Sequence, residues 1–254
     1  MSKLQITDVT RQQLDEGILP VNHVIVEAEE PQDGRKTKGG IICGFNEDVV
    51  YAEGSDSHAA DMVVPYGKVY KLPESLYYNE DDSNSMNWET EMELQEDDMV
   101  WFSIMESYNA VTLRCEGKLY KILPYADLFV AKREYWVDKW SVPQKRATKV
   151  ICLNGYTLCQ TLNKKKISEL DHVSESQIDP TRAIVKYVGS LNTKYKHPTY
   201  NDHKDLQEGD EVLLAPRTAL LFLERKKYFA SFDGDELYVI VPRHKIVAVI
   251  NRKK

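Results

Sequence analysis

Leu94-Gln95-Glu96-Asp97-Asp98-Met99-Val100 returns 112 positions later as Leu206-Gln207-Glu208-Gly209-Asp210-Glu211-Val212. Around this pair other echoes keep the same order. Leu119-Tyr120-Lys121-Ile122-Leu123-Pro124 corresponds to Leu237-Tyr238-Val239-Ile240-Val241-Pro242, and Gly67-Lys68-Val69 falls on Ala183-Ile184-Val185. Only loop lengths change the spacing, which is the mark of a duplicated domain. Each copy has the same physical logic. An acidic turn (Glu96-Asp97-Asp98, Glu208-Gly209-Asp210) reverses the chain before an apolar strand, because Gly and Asp tolerate the dihedrals of a tight turn. A proline (Pro124, Pro242) cannot donate to a ladder and ends a late strand. The last strand, at Asp127–Ala131 or Lys245–Val249, is apolar and can close a barrel or pair with a neighbouring subunit's edge.

Outward from the repeat, short runs rich in Val, Ile, Tyr and Phe recur between turn signals, and no long window carries a helical apolar period. The first half predicts strands at 21–26, 67–72, 99–104, 110–114, 119–123 and 128–131. The second half predicts them at 151–162, 183–188, 211–214, 218–224, 227–232, 237–241 and 246–250. This is an all-β pattern of small barrels or sandwiches. It divides into an N-terminal extension (1–18), a first domain (19–132), a charged and aromatic linker (133–148) with Tyr135, Trp136 and Trp140, and a second domain (149–254).

Composition narrows the function. No stretch reaches the ~18 apolar residues of a membrane span, and Met1–Asp8 has no apolar signal core. Cys43, Cys115, Cys152 and Cys159 lack Cys-x-x-Cys spacing, so free thiols in a reducing, cytoplasmic setting are expected and a zinc site is not. The net charge of -7 conceals a division. Residues 1–132 carry 11 basic and 25 acidic side chains, a net of -14, and residues 133–254 carry 22 and 15, a net of +7. Glu74 to Asp98 alone holds ten acids and no base. The basic residues of the second half are scattered rather than interleaved with aromatics, which argues against nucleic acid. The six histidines have no metal spacing, and there is no Gly-x-Ser-x-Gly elbow and no P-loop, so neither an enzyme nor a cofactor is expected.

One segment stands out as a binding element. Gly34 to Phe45 reads Gly-Arg-Lys-Thr-Lys-Gly-Gly-Ile-Ile-Cys-Gly-Phe. Gly39 and Gly40 precede an apolar triplet, Ile41, Ile42 and Cys43, and the cations Arg35, Lys36 and Lys38 flank it. A polar segment of this kind cannot bury three adjacent apolar side chains by itself, so the triplet is a candidate for a groove on a partner. The other possibility is that Ile41 and Ile42 belong to an ordinary core strand.

Taken together, these motifs resemble the GroES/chaperonin-10 co-chaperonin family. Leu19-Pro20 followed by Val24-Ile25-Val26 matches the opening strand, and Gly39-Gly40-Ile41-Ile42-Cys43 matches the mobile loop. Gly67-Lys68-Val69 matches the middle strand, and Leu94–Phe102 the turn and strand after it. The resemblance covers roughly 19–132 and 149–251. It implies two tandem GroES-like small β-barrels, a chaperonin ring as partner through Gly39–Cys43, and a homo-oligomer. The chain departs from the pattern in four places. The second copy's loop, Asn163–Pro180, has no Gly-Gly and no triplet. Cys43 replaces a larger aliphatic residue, Asp97 stands where a turn glycine is expected, and Ser75–Glu93 is an insertion. The family's rings hold an odd number of units, whereas a ring of complete tandem chains holds an even number. A structural ring or adaptor, as in a virus particle, is therefore the alternative to a co-chaperonin.

Overall fold

The computed structural model describes residues 6–28, 49–50, 61–63, 65–78, 89–137, 145–163, 178–190, 206–216, 221–222 and 238–252. These residues are mostly strand, as an all-β fold requires. The chain separates into two compact units, one of Met1–Glu47, Pro65–Asn154 and Leu191–Lys194, the other of Asp48–Val64, Gly155–Ser190 and Tyr195–Lys254.

In the first unit the strands are β1 (Ile6–Asp8), β2 (His23–Ala28), β5 (Tyr66–Lys71), β6 (Met99–Phe102), β7 (Val111–Cys115), β8 (Lys118–Pro124), β9 (Leu128–Val137) and β10 (Lys145–Cys152). They form one sheet in the order β1-β7-β8-β2-β5-β6-β9-β10. The second unit has β3 (Val49–Val50), β4 (Asp61–Val63), β11 (Tyr156–Asn163), β12 (Ile178–Val188), β13 (Glu211–Leu214), β14 (Leu221–Phe222), β15 (Tyr238–Pro242) and β16 (Ile246–Asn251). Its order is β16-β13-β12-β11-β15-β14-β4-β3. Among the described residues no ladder joins the outermost strands of either sheet.

Six strands of each sheet follow one plan: β7-β8-β2-β5-β6-β9 and β14-β15-β11-β12-β13-β16. Irregularities repeat as well as order. The β2–β5 ladder slips between Ile25 and Val26, and β11–β12 slips between Leu158 and Cys159. β6–β9 slips between Trp101 and Phe102, and β13–β16 between Leu213 and Leu214. Bulges are specific to their surroundings, and here they fall at corresponding places in the two sheets.

The acidic turns explain why those seven residues recur. Asp98 Oδ2 accepts the Gln95 backbone N–H at 2.8 Å, and Asp210 Oδ2 accepts that of Gln207 at 2.9 Å. The preceding strand is tied in the same way in both units: Val69 N to Asp98 O and Val185 N to Asp210 O are each 2.8 Å. Asp97 has φ +71° and Gly209 φ +88°. Asp97 thus fills the left-handed position expected for glycine, which aspartate tolerates better than most residues.

β2 is a central strand buried on both faces, which is why Val24-Ile25-Val26 does not alternate with polar residues. Val24 and Val26 join Val69, Val100, Phe102, Leu123 and Leu128 in one core cluster, and Ile25 joins Leu113, Cys115 and Tyr120 in another. Leu14, from a π-helical turn at Gln13–Gly17, completes the second cluster. The N-terminal extension is thus part of the first unit's packing, with β1 added in parallel to β7. The second unit's core holds Cys159, Val185, Val212, Leu214, Val239 and Val241.

Three local expectations change, and a fourth is not reached by the described residues. The predicted strand at 99–104 stops at Phe102, because Ser103 caps a six-residue helix, α1 (Ile104–Asn109). The single strand predicted at 151–162 is two, parted at Asn154-Gly155, where φ is +52° and +71°. Within 133–148, read as a linker, Arg133–Val137 and Lys145–Lys149 are the paired ends of β9 and β10. Tyr135 and Trp136 there remain substantially exposed. The strand predicted at 227–232 lies outside the described residues.

Candidate functional site

Gly39, Gly40, Ile41, Ile42 and Cys43, with the flanking Arg35, Lys36 and Lys38, all lie outside the described residues. The structure does describe the two strands that bracket them. β2 ends at Ala28 and β5 begins at Tyr66, and the two are antiparallel neighbours with Ala28 opposite Gly67. Gly67 is required here by space: a Cβ would sit 2.5 Å from Val26 Cγ1 and 2.7 Å from the Glu27 carbonyl oxygen. Behind Gly67, the Tyr66 ring packs on Trp101 with centroids 5.9 Å apart. A cavity of about 280 Å³ opens at this root, lined by Glu27, Ala28, Tyr66, Gly67, Lys68 and Lys118 among others.

A neighbouring cavity of about 320 Å³ is polar and includes Arg11, Lys68, Lys118 and Tyr70. Each cation in it already has a carboxylate: Arg11 to Glu116 at 2.9 Å, Lys118 to Glu27 at 2.7 Å and Lys68 to Asp97 at 2.6 Å. Tyr70 donates to Asp15 and accepts from Arg11 at 2.8 Å, and its phenol is pushed up chiefly by the bond to Asp15. A surface whose charges are matched in this way offers little to a free ion.

Lys121 is the one described lysine that is buried. Its Nζ donates to Ser107 O at 2.8 Å and to Ser107 Oγ at 2.6 Å, and burial pushes its pKa down. A lysine on a serine hydroxyl is the pairing that activates a nucleophile. Here, however, Ser107 is itself buried and neither cavity reaches it. The ammonium caps a carbonyl near the end of α1, where the helix dipole favours a cation.

The strongest polar feature is a pair of clasps that the sequence reading did not single out. Arg133 Nε and Nη2 meet the Asp98 carboxylate at 2.8 and 2.7 Å, and Arg252 Nε and Nη2 meet that of Asp210 at 3.0 and 2.9 Å. The bond to Asp98 holds Arg133 above the usual guanidinium value. Both arginines lie on the last strand of the common plan or just beyond it, so the clasp locks that strand to the acidic turn. The signal available in sequence was an arginine after each terminal apolar strand.

Among the described residues no group of three His, Cys, Asp or Glu could hold a metal ion. Cys115, Cys152 and Cys159 are buried thiols, and no described helix is long and apolar enough to cross a membrane. Compared with family models, with curated proteins and with solved structures, the chain matches none.

Proposed function

We propose that this chain is a co-chaperonin-like, non-enzymatic lid built from two tandem GroES-like small barrels, acting on a chaperonin ring in the cytoplasm. The observation that carries the reading is topological. The connection between paired central strands β2 and β5 holds Gly39-Gly40-Ile41-Ile42-Cys43, the position at which the resembled family carries its partner-binding loop. The shared six-strand plan supports a duplicated unit of that kind.

On this reading Ile41, Ile42 and Cys43 are anchors, Gly39 and Gly40 are hinges, and Arg35, Lys36 and Lys38 keep the loop solvated. Ordering a loop on binding costs roughly 1–2 kcal/mol per residue, and burying one isoleucine returns about 1.5–3 kcal/mol. A single loop therefore binds weakly, and several loops on one oligomer bind tightly through effective concentration. Replacing Ile41 and Ile42 together with serine should abolish association with a chaperonin ring while leaving the circular dichroism spectrum unchanged. Undiminished association would overturn the lid.

A second reading, a structural ring or adaptor in a larger particle, is favoured by one observation: only the first of the two copies carries the triplet. Native mass spectrometry separates the two. A soluble ring that binds chaperonin supports the lid, and a chain that assembles only within a larger particle supports the adaptor.

A further inference from the structure

The two cavities of the first unit adjoin, since Glu27, Lys68 and Lys118 line both. Together they make one groove with unlike ends. Ala28, Met99 and Leu119 give one end an apolar wall, and Arg11, Tyr70 and Tyr120 give the other a polar one. The polar wall holds an unusual group. Tyr120 is fully buried, yet its Oη makes no hydrogen bond. Arg11 gives its Nη1 and Nη2 donors to Tyr70 and Glu116 instead. Burial, and then the Glu27 carboxylate, push the Tyr120 phenol up, so at neutral pH it keeps its proton and stands ready to donate.

The charges of the polar end narrow what could accept that proton. Arg11, Lys68 and Lys118 each have a carboxylate already, so a charged ligand has to break a pair to enter. Glu96 is exposed, and of the acids lining this end it is the one that makes no ion pair among the described residues. A hydroxyl group suits such a lining, because it donates to a carboxylate and accepts from an ammonium or a phenol without carrying charge.

The second unit shows that the fold does not demand these side chains. Glu27, Lys68, Tyr70 and Asp97 correspond to Gln160, Ile184, Lys186 and Gly209, whereas the core positions Val69 and Tyr120 keep Val185 and Tyr238. Tyr70 is the unpaired residue of the β2–β5 bulge, the kind of irregularity that re-aims a side chain. Its ring meets that of Tyr120 edge-on with centroids 4.9 Å apart, and Asp15 and Arg11 of the N-terminal extension hold its hydroxyl. The groove is therefore built by features that belong to the first unit and not to the shared plan.

We propose that this groove binds a neutral saccharide, with its hydroxyls over Tyr120 and Glu96 and the apolar face of a ring against Ala28, Met99 and Leu119. Tyr120 Oη donates to a sugar oxygen, and the Glu96 carboxylate accepts from a sugar hydroxyl. Cavities of about 280 and 320 Å³ lie at the lower end of the range for small-molecule sites, which fits a disaccharide rather than a longer chain.

The inference stands apart from the lid and uses none of its residues. Its test is saturation-transfer NMR of the full chain with maltose, cellobiose and N,N′-diacetylchitobiose as probes. At least one should bind, and added sodium chloride should leave its affinity unchanged, because no ion is exchanged. Tyr120→Phe should weaken that binding about two- to tenfold. The same variant should melt no lower than wild type, because the lost hydroxyl had no partner. Glu27→Gln with Lys68→Ile installs the residues that the second unit carries at these positions, and should weaken binding at least as much in a folded chain. Absence of binding by all three probes, wild-type affinity in either variant, or displacement of the sugar by inorganic phosphate would overturn the proposal. The Ile41→Ser, Ile42→Ser chain should bind the sugar as wild type does, so a failure of the lid and a failure of this groove are read separately.

Discussion

Removing the Asp98 carboxylate should be among the most damaging single changes in the chain. Asp98 is almost fully buried and accepts three N–H groups, from Gln95 N, Arg133 Nε and Arg133 Nη2. Asp98→Ala leaves a guanidinium that is only 18% exposed without its counter-charge. Breaking a buried pair from one side costs about 3–5 kcal/mol. Arg133 keeps a bond to Glu93 O at 2.8 Å, so the lower end, ~3 kcal/mol, is expected. Asp210→Ala should cost less, roughly 1–2 kcal/mol, because Arg252 can turn to water. Urea unfolding of the full chain, followed by tryptophan fluorescence, gives both values. The decisive measurement is the cycle with Arg133→Met, because replacing both partners of a buried pair with apolar groups is far milder than removing one. The double variant should be more stable than the summed single effects by at least ~1 kcal/mol. An Asp98→Ala cost below ~1 kcal/mol, or strict additivity, would refute a clasp that fastens β9 to its turn.

Two further outcomes follow from the geometry. Gly67→Ala drives a Cβ into Val26 and the Glu27 carbonyl, and should destabilise the chain by about 1–3 kcal/mol; the control, Ala183→Gly, at the equivalent place in the second unit, should cost only about 0.5–1 kcal/mol. Lys121 has a folded pKa below the 10.5 of a free lysine. Between those values the unfolded chain binds more protons, so stability rises with pH through that window and is level below it. Thermal melts across the alkaline range should show this rise in wild type and its loss in Lys121→Met, read as the difference between the two; an identical pH dependence in both would contradict the burial of a charged amine.

The repeat was legible because turn chemistry is local: Asp98 and Asp210 bond residues three positions away, and nothing distant is needed to demand them. Other features depend on the tertiary fold. Leu14 is one apolar residue in a polar stretch, and only the buried second face of β2 makes it a core residue. Helix α1 is too short for an apolar period, though Ser103 is a recognisable cap. The break at Asn154-Gly155 had a clear signal, a turn dipeptide inside an apolar run, and the run outweighed it. The candidate triplet Ile41-Ile42-Cys43 is a reading from composition alone, and it lies outside the described residues. The clasp arginines were hidden by a difference of one residue in spacing.

That difference has its own consequence. An extra residue in a strand ordinarily turns every later side chain to the opposite face. In the second unit a further irregularity between Glu211 and Val212 sets Asn251, not Ile250, opposite Glu211, and so returns Arg252 to Asp210. The terminal strand can therefore gain or lose a residue over evolutionary time without giving up its fastening, provided a bulge absorbs the change before the arginine. An ungapped superposition of the two halves sets Arg133 against Asn251 and would count the fastening as lost. Fixed relative to the turn rather than to the residue count, it is present in both units.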